Sequence, residues 1–140
     1  MAAGLIILYS LREIRKDTVV QAFSTVASIL YDEKVRMARR TLIGNSESDF
    51  TKWTKKEIDD GEIVCFNYDI VGIMVRNKIV DEKMVIKEWR DSIIKSYEHA
   101  QPMITTYRKS NGNDFWDDFQ WLYDRAKKQK YTNLLNEGRS

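Results

Sequence analysis

IVCFNYDIVGIMV, residues 63–75, is apolar on most sides of a helical wheel, and it fixes the reading of everything around it. A helix that is apolar nearly all round has to be buried. The segment 55–77 is therefore expected to be the central helix of the fold. Thr54 followed by Glu57 gives it a capping-box start, and "RNK" (76–78) ends it. The polar exceptions within it are informative. Asn67 falls towards the apolar face beside Tyr68, so it needs a hydrogen-bond partner or a cavity. Asp69, Gly72 and Arg76 fall on another side, with Cys65. A glycine inside a helix costs up to about 1 kcal/mol relative to alanine, which suggests that another backbone passes close to Gly72. Asn67, Asp69 and Arg76 thus form either a buried polar network or part of a pocket. The network is the preferred reading, with Asp69 reaching an arginine of the group at 36–40.

Upstream, Val19, Phe23, Val26 and Leu30 recur at helical spacing, in a helix that can be continuous with the apolar start of the chain. A break at Tyr31-Asp32 precedes a short helix, "EKVRMARRTLI" (33–43), closed by Gly44-Asn45. "GNSESDFTKW" (44–53) reads as a loop. Downstream, Asp81 can cap a helix from 82 to about 100, with Val85, Trp89, Ile93 and Ala100 as its stripe. Pro102 is expected to kink or restart the chain, leaving a separate short helix at 103–110. Asp114 is expected to cap the last helix. On a wheel centred on Phe119, Phe115, Trp116, Leu122, Tyr123 and Ala126 lie within about 60°. Trp121 lies near 200°, on the charged side. It is either an interface residue or covered by the tail (Tyr131, Leu134, Leu135) or another helix.

The expectation is all-α: one compact domain of about six helices, with a long N-terminal helix and a mostly buried central one. Few glycines and a single proline agree with that. The divisions expected are an apolar N-terminal segment (1–16), a helical domain (17–130) and a polar tail (131–140).

Within the first division, "AAGLIILYSL" (2–11) is apolar on all sides, and Arg12, Arg15 and Lys16 follow it. That order is the one found where a membrane helix meets the cytoplasm. The stretch is about half the roughly 20 residues a spanning helix needs. It reads as the end of a transmembrane helix or, equally, as a core or oligomer-contact helix.

Most enzyme chemistries lack their residues here. His99 and Cys65 are the only histidine and cysteine. His99 fits a helix C-terminus, where the dipole favours imidazolium, and Cys65 fits an inert core thiol. No set of zinc ligands is present, and neither phosphate-binding glycine motif occurs. The acidic groups at 57–62 and 114–118 fall in first helical turns, where they serve as caps and dipole partners. No enzyme activity, metal or cofactor is expected. A net charge of +2, without a long basic tract, does not point to long nucleic acids. Arg36, Arg39 and Arg40 lie within one turn of one another. They can grip an anion bidentately, or form a solvated face paired with Asp32, Glu33 or Glu47.

Taken in order, "ARR" (38–40), "DFTKW" (49–53), "YDIVGIMVRNKIVDEKMV" (68–85), "EW" (88–89) and "NDFWDDFQWL" (113–122) resemble a bacterial domain-of-unknown-function family. Its members are small, all-helical and often membrane-tethered. The resemblance implies a helical domain and supports the membrane reading of residues 2–11, but it implies no catalytic residues. The functional expectation is a non-enzymatic sensor or effector domain, self-associating, on the cytoplasmic side of a membrane. Its ligand would be anionic, with a cyclic-nucleotide-type second messenger of stress or antiphage responses as the candidate. The alternative is a protein-interaction scaffold with Trp121 and the apolar N-terminus as contacts.

Overall fold

A computed structural model describes residues 2–138, apart from the side chains of residues 2, 3 and 130–136. Five α-helices follow one another: α1 (Ala2–Tyr31), α2 (Glu33–Gly44), α3 (Lys55–Arg76), α4 (Glu82–Asn111) and α5 (Asp117–Glu137). A single 3-10 turn, Phe50–Lys52, interrupts the loop before α3. No strand occurs among the described residues.

The helix starts follow the local chemistry. Asp32 Oδ1 accepts from the N–H groups of Lys34 and Val35 at 3.0 and 3.3 Å. Thr54 and Glu57 form the reciprocal box: Thr54 Oγ1 accepts from Glu57 N–H at 3.2 Å, and Glu57 Oε2 accepts from Thr54 N–H at 2.7 Å. Asp81 Oδ1 accepts from Met84 N–H at 2.9 Å. Each cap satisfies donors that a helix leaves open at its first turn.

α3 is the central element and packs against all four other helices. Val64, Cys65, Tyr68 and Val71 are fully buried along it. α4 and α5 close over it through an aromatic cluster: Phe119 stacks on Tyr68 with ring centroids 5.2 Å apart, and Tyr97 meets Phe119 edge-on at 5.0 Å. Each such pair adds about 0.5–1.5 kcal/mol beyond its buried area. Only the C-terminal third of α1 joins this core. There Val26 and Leu30 are fully buried, and Phe23 and Tyr31 pack on Trp89 of α4.

Two expectations fail at the C-terminal side. Pro102 does not divide its helix; α4 runs through it. The proline forfeits one backbone hydrogen bond, a cost of about 3 kcal/mol. Ala100, Met103 and Ile104 are buried on both sides of it, and their packing holds the helix together. The expected sixth helix at 103–110 is the end of α4. His99 accordingly lies within α4 rather than at a helix end, and its Nδ1 is 3.1 Å from the carbonyl of Asn45 in the loop after α2.

The second failure concerns Asp114, whose side chain makes no cap bond among the described residues, although its backbone carbonyl accepts from Asp117 N–H at 3.0 Å. α5 begins at Asp117, and residues 113–116 form a turn. Trp116 adopts a left-handed φ of 57°, which costs roughly 1–2 kcal/mol in an L-residue. Tyr107 compensates by stacking on the indole at 5.2 Å, and Arg108 Nε donates to the carbonyl of Phe115 at 2.9 Å. Phe115 and Trp116 are thus packed by a turn, not by the face of α5.

The N-terminal two-thirds of α1 leaves the body. Leu5, Ile6, Ile7, Leu8, Tyr9 and Leu11 each expose between 52% and 71% of their surface. Consecutive positions 5 to 8, turned about 100° each, carry this apolar surface all the way round the rod. The expected boundary at residue 16 falls inside the unbroken helix. No helix among the described residues is long and apolar enough to cross a membrane.

Candidate functional site

The polar residues of α3 divide between two neighbours. Asp69, Gly72 and Arg76, at i, i+3 and i+7, all face the start of α5. Asp69 Oδ1 accepts from Phe119 N–H at 3.0 Å, capping α5 from another helix. Arg76 meets Asp117 at 3.2 Å and Asp118 at 3.4 Å. Between them the backbone of α5 comes so near that a Cβ on Gly72 would lie 2.2 Å from the Asp118 carbonyl oxygen. The close backbone expected at Gly72 is therefore the first turn of α5. Asp69 does not reach the arginines of α2, because the cap occupies it. Burial holds its carboxyl above the usual carboxylate range against the opposing Phe119 N–H, with Asp118 and Asp117 adding to the rise. Asn67 stands apart: its Nδ2 donates to the Ile63 carbonyl at 2.7 Å, on the edge of a shallow groove shared with α1.

The three arginines of α2 do not converge either. Val35, Ala38 and Leu42 form the buried stripe of that helix. Arg39 lies four residues after Val35 and three before Leu42, on the edge of that stripe, and turns inward. It donates to the Leu30 carbonyl at 3.2 Å and to Tyr68 Oη at 3.4 Å. Tyr68 Oη in turn lies 2.6 Å from Ser92 Oγ. One guanidinium thereby ties α1, α2 and α3 together, and Tyr68 extends the chain to α4. Arg36 and Arg40 are exposed and have no ion pair among the described residues.

Trp121 is half-buried, but the tail's side chains lie outside the described residues. What covers its ring is cationic: Arg76 and Arg125 sit 5.8 and 5.7 Å from its centroid, within cation–π range. Arg125, one turn along α5, is held by Glu82 through two bonds of 2.6 and 2.8 Å. Trp121 forms a wall of an open groove of about 650 Å³ at the α3–α4 turn, with Val75 and Val80 in its lining and Val19 of α1 at its margin. This grouping joins residues far apart in the chain, Glu82 and Arg125 being 43 positions apart and Val19 lying in another helix altogether. The only local signal for it is the Trp121–Arg125 spacing of one helical turn.

Cys65 is fully buried, and burial pushes its thiol up, away from the reactive thiolate. Among the described residues no three histidine, cysteine or acidic side chains gather as a metal site requires. Three surfaces thus stand out among the described residues: an apolar rod tip, a groove lined by four basic side chains and one indole, and two arginines with no ion pair there.

No curated protein and no solved structure matches the chain. The family model that does match covers residues 1–126, from the exposed apolar rod through the groove-forming part of α5. The chain belongs to the family described as domain of unknown function DUF4760.

Proposed function

We propose that this protein is a non-enzymatic, membrane-tethered binding module whose helical body stands on the cytoplasmic side. One observation carries the reading: the apolar tip of α1 is exposed in every direction. A partner helix would cover one stripe of it and leave the rest in water, whereas lipid covers all sides at once. Exposed apolar surface on this scale marks a protein or membrane contact rather than an ordinary surface. Arg12, Arg15 and Lys16, immediately after the tip, complete the pattern of a helix end held at a cytoplasmic interface.

Flotation with phosphatidylcholine vesicles tests the anchor. The full chain is expected to float, and Leu5→Asp/Leu8→Asp to remain at the bottom with unchanged thermal stability, because neither side chain touches the body. If the parent chain stays at the bottom while the double variant dissolves a discrete oligomer, the scaffold reading replaces this one. A second reading, anion binding by the module, draws support from Arg36 and Arg40, one turn apart and without an ion pair among the described residues. Calorimetric titration with a cyclic dinucleotide is expected to show binding that Arg36→Gln/Arg40→Gln abolishes. Unchanged affinity in that variant would rule the pair out.

A further inference from the structure

We propose that the groove at the α3–α4 turn docks on the headgroups of anionic phospholipids, an inference that rests on the membrane reading above. Position is the first support. Val19 borders the groove, and from Val19 the same unbroken helix leads to the apolar tip. Eight residues separate Val19 from Leu11, a rise of about 12 Å. With the tip in the hydrocarbon, the headgroup layer takes up roughly the first 5–7 Å of that rise. The remainder is less than the Debye length of about 8 Å at physiological salt and within reach of a lysine side chain. The groove therefore faces the bilayer surface at a distance where its charge still counts.

Charge is the second support. Arg76 and Arg125 are occupied by Asp117, Asp118 and Glu82. Lys78 and Lys83, also in the lining, are exposed and have no ion pair among the described residues. Asp81, in the same lining, caps α4 and also has no ion pair among the described residues. The unpaired charges of the groove are therefore two lysines and one carboxylate, a net positive charge opposite in sign to the lipid phosphates. The third support is the apolar margin. Ile79, next to Lys78 in the tight turn, is 56% exposed, and the half-buried Trp121 offers the amphipathic ring typical of membrane interfaces. An exposed isoleucine and an indole among free lysines fit a surface that is part phosphate and part acyl chain. A soluble phosphate would gain nothing from them.

The test compares neutral phosphatidylcholine vesicles with vesicles containing phosphatidylserine, using the full chain. Anionic lipid is expected to strengthen binding, and Lys78→Gln/Lys83→Gln to remove roughly 25-fold of that gain, about fivefold per lysine, with neutral-vesicle binding unchanged. Tryptophan quenching by shallow brominated lipids reads the same contact, because Trp53, Trp89 and Trp116 are at most 9% exposed and only Trp121 is open to a quencher. If the double variant keeps the whole gain, or the bound chain shows no quenching, the groove does not face lipid and the inference is overturned while the anchor stands. If inorganic phosphate in solution stabilises the chain through the same two lysines without any vesicle preference, the lipid assignment is overturned in favour of a soluble phosphate. If the chain binds neither vesicle, the anchoring reading itself has failed, and this inference with it.

Discussion

Asp69 shows how much one side chain on the central helix carries. Its carboxylate caps a helix that starts 48 residues later, and that geometry is worth about 1 kcal/mol. Asp69→Ala is expected to lose about that much stability in urea melts, while Asp69→Asn keeps an acceptor for Phe119 N–H and loses less. The sign of the pH effect follows from the raised carboxyl. The folded state holds the Asp69 proton more tightly than the unfolded chain does. Its contribution to stability is therefore full below the unfolded value near 3.9 and declines as pH rises through the folded value. In Asp69→Asn this segment of the pH–stability curve should flatten; an unaltered slope would show that other carboxylates set it. Arg39 teaches a complementary lesson. Its neighbours in sequence are solvated arginines, but the Val35–Leu42 stripe places it at the core boundary, and there its donors are consumed by Leu30 and Tyr68.

At the scale of elements, the packing of α5 on α3 depends on a missing side chain. A methyl group on Gly72 would meet backbone of Asp118, which cannot move without shifting α5. Gly72→Ala is therefore expected to destabilise the fold by about 3 kcal/mol, at the upper end of overpacking costs, despite the better helix propensity of alanine. Gly61 supplies the control. A Cβ there would meet the flexible end of Met103 at 2.7 Å, which can rotate aside, so Gly61→Ala should cost much less or nothing in the same denaturation measurement. A larger loss at Gly61 than at Gly72 would contradict this account of the interface.

Much of the element pattern was legible in the sequence, because it depends on local chemistry. The break at Tyr31-Asp32, the caps at Thr54 and Asp81 and the all-helical class follow from signals within a few residues. The close backbone at Gly72 was legible too, as a cost that needed a reason. What was not legible arises from contacts distant in sequence. α4 continues through Pro102 because residues on both sides are buried by other helices, and no local rule encodes that. α5 starts late because Tyr107 and Arg108 stabilise a left-handed Trp116. The candidate site suffered most. Its wall, Trp121, could be singled out by its wrong-facing position, but the arginines over it and the groove beside it come from four helices. The arginine trio failed as a group because only the burial of α2 shows which of the three is already engaged.

At the scale of the whole molecule, the body and the rod have different requirements. Among the described residues the body buries or half-buries its aromatic side chains, apart from the exposed Tyr31 and Phe66, and it satisfies its helix starts internally. The rod tip satisfies nothing in water. In the absence of lipid or detergent, sedimentation is expected to show the full chain self-associating increasingly with concentration, without a fixed stoichiometry. Leu5→Asp/Leu8→Asp should sediment as a monomer at every concentration. A single sharp oligomer of constant mass would instead favour a specific helix–helix contact at the tip.

The continuity of α1 has a mechanical consequence. A flexible tether would let the body tumble freely above its attachment point, but a helix unbroken from residue 2 to residue 31 transmits orientation. Inserting one residue between Lys16 and Val19 would lift the body by only about 1.5 Å but turn it by about 100°, swinging a different side towards whatever holds the tip. Inserting seven would lift it by about 10 Å and bring it back within about 20° of its original heading. The length of this segment therefore acts as an angular setting, and insertions in it would be tolerated by helical phase rather than by size.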